Sequence, residues 1–299
     1  MKNKNIYTYM YSEFGLPQNQ RIYHYTNGEA LKGIFENETI YATNIQFLND
    51  ANEIWSFLRD INEFVKRDMN NTSLLKIQLA NYYTCLKRDH IPFYVVSFTT
   101  KRDSASFLSR YGEYALGIDI NSRNDSLVDA ETTPLVMLNV VYCDKHKERI
   151  IKDLYEFVST SDEASRNNFF PVPRGFYFET DSELVKQVKY FWYCALYLSC
   201  FIKHKSYEDE CEVRMVLYDY LKNTNVDFVT RNNAIVPIVK YALNQDHFAF
   251  DEVIIGIDRF TGAQMGALEF FFKSLVEKKK LKRVPKIEYS ESNLRVSKA

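Results

Sequence analysis

Apolar positions along this chain follow two periods, and the alternation between them predicts the elements. Arg21 to Tyr25 is rich in β-forming residues and predicts a strand. Leu31, Ile34 and Phe35 then recur, with Ala30, at the spacing of one helical face. Between them, Thr26 and Glu29 have the spacing of a capping box, in which each side chain satisfies an exposed amide of the other. Thr39 to Ile45 predicts a second strand. Asn49 or Asp50 is placed to cap a helix whose stripe is Ile54, Leu58, Ile61 and Val65. A helix over Ser73 to Lys87 precedes a strand over Phe93 to Thr99. Asp103 is placed to cap a short helix that runs to Tyr111 and stops at Gly112.

Further strands are expected over Tyr114 to Ile120 and Leu135 to Tyr142, and helices over Lys145 to Val158 and Ser182 to Ile202. The last third alternates mainly as strands: Cys211 to Tyr218, Val226 to Thr230, Ala234 to Val239, Glu252 to Ile257 and Val284 to Tyr289. A helix is expected after the capping-box pattern Thr261-Gly262-Ala263-Gln264. Polar Asn121 to Thr133, and Ser159 to Thr180 with Pro171, Pro173 and Gly175, predict surface loops. Strands and helices mixed without regular βαβ alternation predict an α+β fold, and with no linker or repeat between halves, one domain.

Composition narrows the function classes. The 299 residues carry 38 Lys+Arg against 39 Asp+Glu, a net charge of −1, so no global field steers the chain onto nucleic acid or an acidic membrane. With 9 Gly and 7 Pro, collagen-like and linker-rich designs are excluded. The excess lies in 22 Tyr and 22 Phe, which suits both a large core and a cleft that stacks planar ligands. The five cysteines form no CxxC pair, which argues against a disulfide framework or a zinc ribbon. The N-terminus lacks an apolar signal region, and the longest apolar run, Phe191 to Ile202, is too short to span a bilayer. A soluble, cytoplasmic protein with no membrane partner is expected.

Three places could carry chemistry. If Cys211 to Tyr218 is extended, Cys211, Val213, Met215 and Leu217 face the core while Glu210, Glu212 and Arg214 share the other face. Arg214 can hold one carboxylate ionised and leave the other to accept a substrate hydroxyl, or the trio is a solvated salt bridge on an edge. His24 ends the first strand just before a helix N-terminus. There it can bond a ribose hydroxyl beside an anion held by helix amides, or it is a core histidine with one internal hydrogen bond. Ser97 and Thr99 end a strand, and Tyr111 follows one helix later, positioned to stack on a base or to be buried. Cys200, His204 and Cys211 match no familiar zinc spacing, and Glu208, Asp209 and Glu210 lack a companion acidic cluster for Mg²⁺, so no metal is expected. Glycine-rich phosphate loops and a nucleophile-elbow motif are missing.

The ordered set Tyr23-His24-Tyr25-Thr26, Phe47-Leu48-Asn49-Asp50 with Glu53, Val96-Ser97-Phe98-Thr99, Asp103-Ser104, Arg110-Tyr111-Gly112, Phe201-Ile202-Lys203-His204, Glu210-Cys211-Glu212-Val213-Arg214 and Glu252-Val253-Ile254-Ile255-Gly256 resembles an uncharacterised bacterial family, the domain of unknown function numbered 2971. Phe107-Leu108-Ser109 departs from it where a Trp is expected before the Arg. The resemblance spans most of residues 21–290. It leaves 1–20 as an N-terminal extension and 291–299 as a tail.

A His in the first strand, a Ser/Thr strand end before a helix and a late Glu-x-Glu strand also resemble the ADP-ribosyltransferase arrangement. That resemblance implies two small mixed or antiparallel sheets, flanked by helices, forming a cleft that holds NAD as substrate. By it, His24 binds a ribose hydroxyl; Thr26, Ser97, Thr99 and Arg214 line the pocket; and Tyr111, or Tyr25, stacks on nicotinamide or adenine. Glu212 accepts the 2′-hydroxyl and stabilises the oxocarbenium ion, and Glu210 orients an unidentified macromolecular acceptor. The implied protein is an ADP-ribosyltransferase-like toxin or anti-phage defence effector. NAD glycohydrolysis, or a non-catalytic nucleotide- or protein-binding sensor module, is the alternative.

Overall fold

The periodic stretches form the elements their spacing predicts. The computed structural model describes residues 6–15, 20–48, 53–67, 74–86, 91–120, 135–170, 180–218, 226–231, 233–243, 249–256, 260 and 262–291. In chain order the elements are α1 (Ile6–Phe14), β1 (Gln20–Thr26), α2 (Gly28–Asn37), β2 (Thr39–Asn44), α3 (Glu53–Arg67), α4 (Leu74–Leu86), β3 (Phe93–Thr99), α5 (Ala105–Tyr111), β4 (Tyr114–Ile120) and β5 (Leu135–Asn139). There follow α6 (Asp144–Thr160), α7 (Glu163–Phe169), α8 (Glu183–Ser199), β6 (Glu212–Tyr218), β7 (Val226–Arg231), β8 (Ala234–Ala242), β9 (Glu252–Ile255), α9 (Ala263–Glu277) and β10 (Lys286–Tyr289).

Hydrogen bonding joins these strands into a single mixed sheet with flanking helices, not the two small sheets expected. The order is β10-β9-β4-β1-β3-β2-β8-β7, with β6 along the other edge of β3 and β5 beyond it. Among the described strands, β9 and β10 alone pair in parallel. The sheet forks at β3. One edge of β3 pairs with β6 along its whole length, from Phe93↔Tyr218 to Thr99↔Glu212. The other edge is shared: β1 meets it at Tyr23↔Thr99, and β2 at Thr43↔Val95 and Asn44↔Tyr94. Val96, Ser97 and Phe98 lie in the gap between those two partners.

Both faces of the sheet are covered. On one, α1, α3, α4, α6, α7 and α8 pack over the β5-β6-β3 half. On the opposite face α2 and α9 cover Ile22, Val96, Phe98, Met215 and Val253. Every residue of α8 from Tyr190 to Ser199 is buried, because this helix is itself surrounded by α3, α4, α6 and the sheet. Inside it the Trp192 indole N–H donates to the Leu79 carbonyl at 3.0 Å, satisfying the one polar atom of a buried ring. The aromatic excess is spent largely here: the Phe93 ring lies 5.2 Å from Tyr197, 5.4 Å from Tyr218 and 5.6 Å from Tyr193.

Several local expectations are corrected. Asn27, not Thr26, caps α2, its side chain accepting from the Ala30 amide at 2.8 Å, while Thr26 stays in β1 with its side chain buried. Asp103 does not cap α5; its carboxylate accepts from the Ser290 hydroxyl at 2.6 Å and from the Glu291 amide, tying down the end of β10. Residues 159–180 are not one loop, since α6 reaches Thr160 and α7 follows, capped by Asp162. Cys211 does not face the core: its backbone is left-handed (φ 44) and its side chain exposed. Ile6, Tyr9, Met10 and Phe14 of α1 belong to the larger core cluster. Asn49, Asp50, 121–133, Pro171, Pro173, Gly175 and Thr261 lie outside the described residues. Among the described residues no helix is long and apolar enough to cross a membrane.

Gly112 ends α5 as expected, at φ 133, where a Cβ would sit 2.5 Å from the backbone of Thr26 and Asn27. Gly112→Ala is therefore strained in both backbone and contact, and should lose more than about 2 kcal/mol. Gly33 is the control: it is helical, and a Cβ added there would meet nothing within 4 Å. Gly33→Ala should gain about 0.5–1 kcal/mol. Urea denaturation of the two variants checks both signs.

Candidate active site

The β3/β6 face changes character along its length. At one end Phe93, Val95, Val216 and Tyr218 pack under α8; at the other the same face continues as Ser97, Thr99, Glu212 and Arg214. That polar end opens on a cavity of about 1190 Å³. The cavity is lined from both faces of the sheet. His24 follows Ile22 by two residues and so shares its face, the α2 side, where its ring lies 5.7 Å from Phe98. Glu212 and Ser97 lie on the other side, so the cavity passes through the fork.

Glu212 and Arg214 are almost wholly buried, at 7% and 1% exposure, so their charges must neutralise each other. They form a two-point pair, Arg214 Nε to Oε1 at 2.8 Å and Nη2 to Oε2 at 3.0 Å. The third guanidinium position donates to the Cys200 carbonyl at 2.9 Å, which fixes the strand to the end of α8. Lys203 Nζ adds a bond to Glu212 Oε2 at 3.2 Å, and the Ser97 side chain, opposite Arg214 in the β3–β6 register, further favours the ionised carboxyl. Burial alone would raise the Glu212 pKa, but Arg214 and then Lys203 outweigh it and hold the carboxyl well below the ordinary range. It is a fixed anion at neutral pH. The Glu212 amide is in turn held by the Tyr142 hydroxyl at 2.9 Å.

His24 Nδ1 lies 3.0 Å from the Ser97 carbonyl. A carbonyl can only accept, so Nδ1 carries the proton and Nε2 is left as the acceptor. Burial lowers the pKa of His24, the Ser97 carbonyl opposes this, and the charge of Arg231 lowers it further, so the ring is neutral at pH 7. Ser97 thus stands between the two: its carbonyl meets His24, and across the sheet it faces Arg214, the residue that holds Glu212.

The remaining expected residues divide. All of Tyr25, Thr26, Thr99, Tyr111 and Glu210 line the same cavity. The Glu210 carboxylate, in a 3-10 turn (Lys205–Glu210) and not in β6, bonds Lys203 Nζ at 2.5 Å and faces Arg110 at 3.4 Å. Thr99 is committed to structure, donating to the Glu210 carbonyl at 2.6 Å and accepting from the Lys101 amide. So is Tyr25: its hydroxyl donates to the Lys101 carbonyl at 3.0 Å and accepts from the Ser104 amide at 2.9 Å, with the Phe107 ring against its own. That leaves Tyr111, half-buried beside Phe107, as the stacking candidate. The solvated-edge alternative for Glu212 and Arg214 is overturned by their burial.

Sequence reasoning missed Lys203, Tyr142 and Arg231 as site residues. Lys203 had a signal, being the first charge after the longest apolar run; the others had none. Among the described residues no group of three His, Cys, Asp or Glu side chains is placed to hold a metal ion. Comparison with protein-family models, with curated proteins and with solved structures finds no match.

Because Glu212 is charged in the folded protein below its ordinary pKa of 4.5, the unfolded chain takes up that proton first. Its contribution to stability is complete above pH 4.5 and is lost as the pH falls below it. Arg214→Met, which strands the anion, should cost about 3–5 kcal/mol at pH 7. That gap should narrow in acid as the carboxyl protonates, which denaturation at pH 7 and at acid pH will measure.

Proposed function

We propose that this protein cleaves the nicotinamide–ribose bond of NAD and passes the ADP-ribosyl group to an acceptor. The observation that carries the reading is the joining of His24, Ser97 and Glu212 along one cavity of about 1190 Å³, large enough for a dinucleotide. The neutral Nε2 of His24 suits a ribose hydroxyl. A 2′-hydroxyl reaches Glu212 from the Ser97 side, since Arg214 and Lys203 hold other positions on that carboxylate. As the bond breaks, nicotinamide leaves with the bonding electron pair and positive charge develops at C1′ and the ring oxygen. A carboxylate already ionised, desolvated and held in place stabilises that charge without reorganising. The acceptor then bonds C1′, and its proton passes to solvent water. Glu210, towards the mouth, orients it. Tyr111 stacks on the base.

Such chemistry suits a toxin or an anti-phage defence effector. Glycohydrolysis is the same reaction with water as acceptor, and Glu210→Gln should impair transfer more than hydrolysis. A second reading, a non-catalytic nucleotide-binding module, is favoured by one feature: donors already surround both oxygens of Glu212.

Purified protein incubated with NAD should release nicotinamide, seen by chromatography, or label a macromolecule with the ADP-ribosyl group. Glu212→Gln should lower turnover about 100- to 1000-fold while NAD binding persists. Because that variant leaves Arg214 and Lys203 short of charge, Glu212→Asp is the companion: it keeps the charge, draws it back from C1′, and should lower turnover with the fold intact by circular dichroism. Wild type that binds NAD but neither cleaves it nor labels anything establishes the binding module; wild type that does not bind NAD removes both readings.

A further inference from the structure

Four cations that line the cavity, Lys32, Arg110, Lys203 and Arg214, each face a carboxylate. Arg231 is different. It ends β7 beside the turn into β8, and its Nη1 donates to the Thr43 hydroxyl of β2 at 2.9 Å. Among the described residues it makes no ion pair. The whole residue is exposed on its hairpin, yet its guanidinium is drawn into the mouth of the cavity. Partial burial there lowers its pKa with no counter-charge to offset it. Its field reaches His24, whose ring it helps to keep neutral. A guanidinium oriented by a hydroxyl and lacking an anion is a place for an anionic ligand group.

The contacts also order the cavity. Arg231 bonds Thr43, which pairs with Val95 two residues before Ser97; the Ser97 carbonyl meets His24, and Ser97 faces Arg214, which holds Glu212. Cation, neutral acceptor and anion follow one another. A nucleotide presents the matching sequence: a 5′-phosphate, then ribose hydroxyls, then the C1′ carbon that becomes positive.

We propose that Arg231, oriented by Thr43, is the phosphate subsite for the nicotinamide half of the dinucleotide, with that ribose at His24 and its C1′ at Glu212. The proposal rests on the NAD reading above and adds the direction in which the ligand lies. It makes the site selective for nucleotides over nucleosides.

Carbocyclic analogues of nicotinamide mononucleotide and nicotinamide riboside, which cannot lose the base through an oxocarbenium ion, separate the phosphate from the rest of the ligand. Calorimetry on the full chain should show the mononucleotide analogue binding at least about 10-fold more tightly than the riboside analogue. Arg231→Gln should erase that preference with riboside affinity unchanged, Arg231→Lys should keep part of it, and Thr43→Val should weaken it. Retention of the full preference in a folded Arg231→Gln protein overturns the subsite alone. So does equal affinity of wild type for the two analogues, which leaves the nucleoside site standing. Wild type that binds neither analogue and no NAD overturns the subsite and the NAD reading together.

Discussion

A strand offers one row of hydrogen bonds on each edge, and β3 divides one of its rows between two partners. β1 takes the end at Thr99 and β2 the end at Val95 and Tyr94, so Val96 to Phe98 is left between them. The Ser97 carbonyl, left without a strand partner in that gap, obtains its donor from a side chain, His24 Nδ1. The same geometry sets the imidazole's tautomer and brings it to a cavity whose acid, Glu212, lies on the other sheet face. Had β1 continued to pair with β3, His24 and Glu212 would be separated by a closed sheet.

The second requirement is charge balance. Taking a carboxylate and a guanidinium out of water costs several kcal/mol per ion, which only close pairing and full hydrogen bonding recover. Glu212 and Arg214 meet that demand with two mutual bonds, and the Cys200 carbonyl and Lys203 occupy remaining positions. A merely structural pair could be replaced by apolar residues on a face that is already apolar at Val216 and Tyr218. A carboxylate held this far below its ordinary pKa is a poor base at neutral pH, so the chemistry open to it is stabilisation of positive charge, which is what the proposed reading asks of it.

Much of this order was legible in the sequence because its carriers are local. Period-two and helical spacing placed β3 and β4 to the residue, and α4 and α8 to within a few. The alternation through β6 put Glu212 and Arg214 on the same face. What sequence could not supply depends on distant contacts. Glu212 and Arg214 are buried because α8 ends above them, not because of their neighbours in the chain. Thr26 and Asn27 are both competent caps, and burial of Thr26 at the end of β1 decided for Asn27. Glu210 matches the alternation but falls one turn outside the strand, because Cys211 takes a left-handed backbone. Arg231 carries no local mark at all; only the β8–β2 pairing brings its hairpin beside Thr43.

The site begins where the core stops. Along β3 and β6 the same side-chain rows run from Phe93 and Tyr218, stacked beneath aromatic α8, to Thr99 and Glu212, so rigidity built by aromatic packing passes along continuous backbone into the polar end. Arg214 is the join: its guanidinium reaches back to the last turn of α8 while its other nitrogens hold Glu212. On the proposed reading, an immobile Glu212 stabilises a transient cation at no reorganisation cost. That immobility comes from the core by way of one arginine, whereas Glu210 and Arg231 sit on a 3-10 turn and a hairpin end.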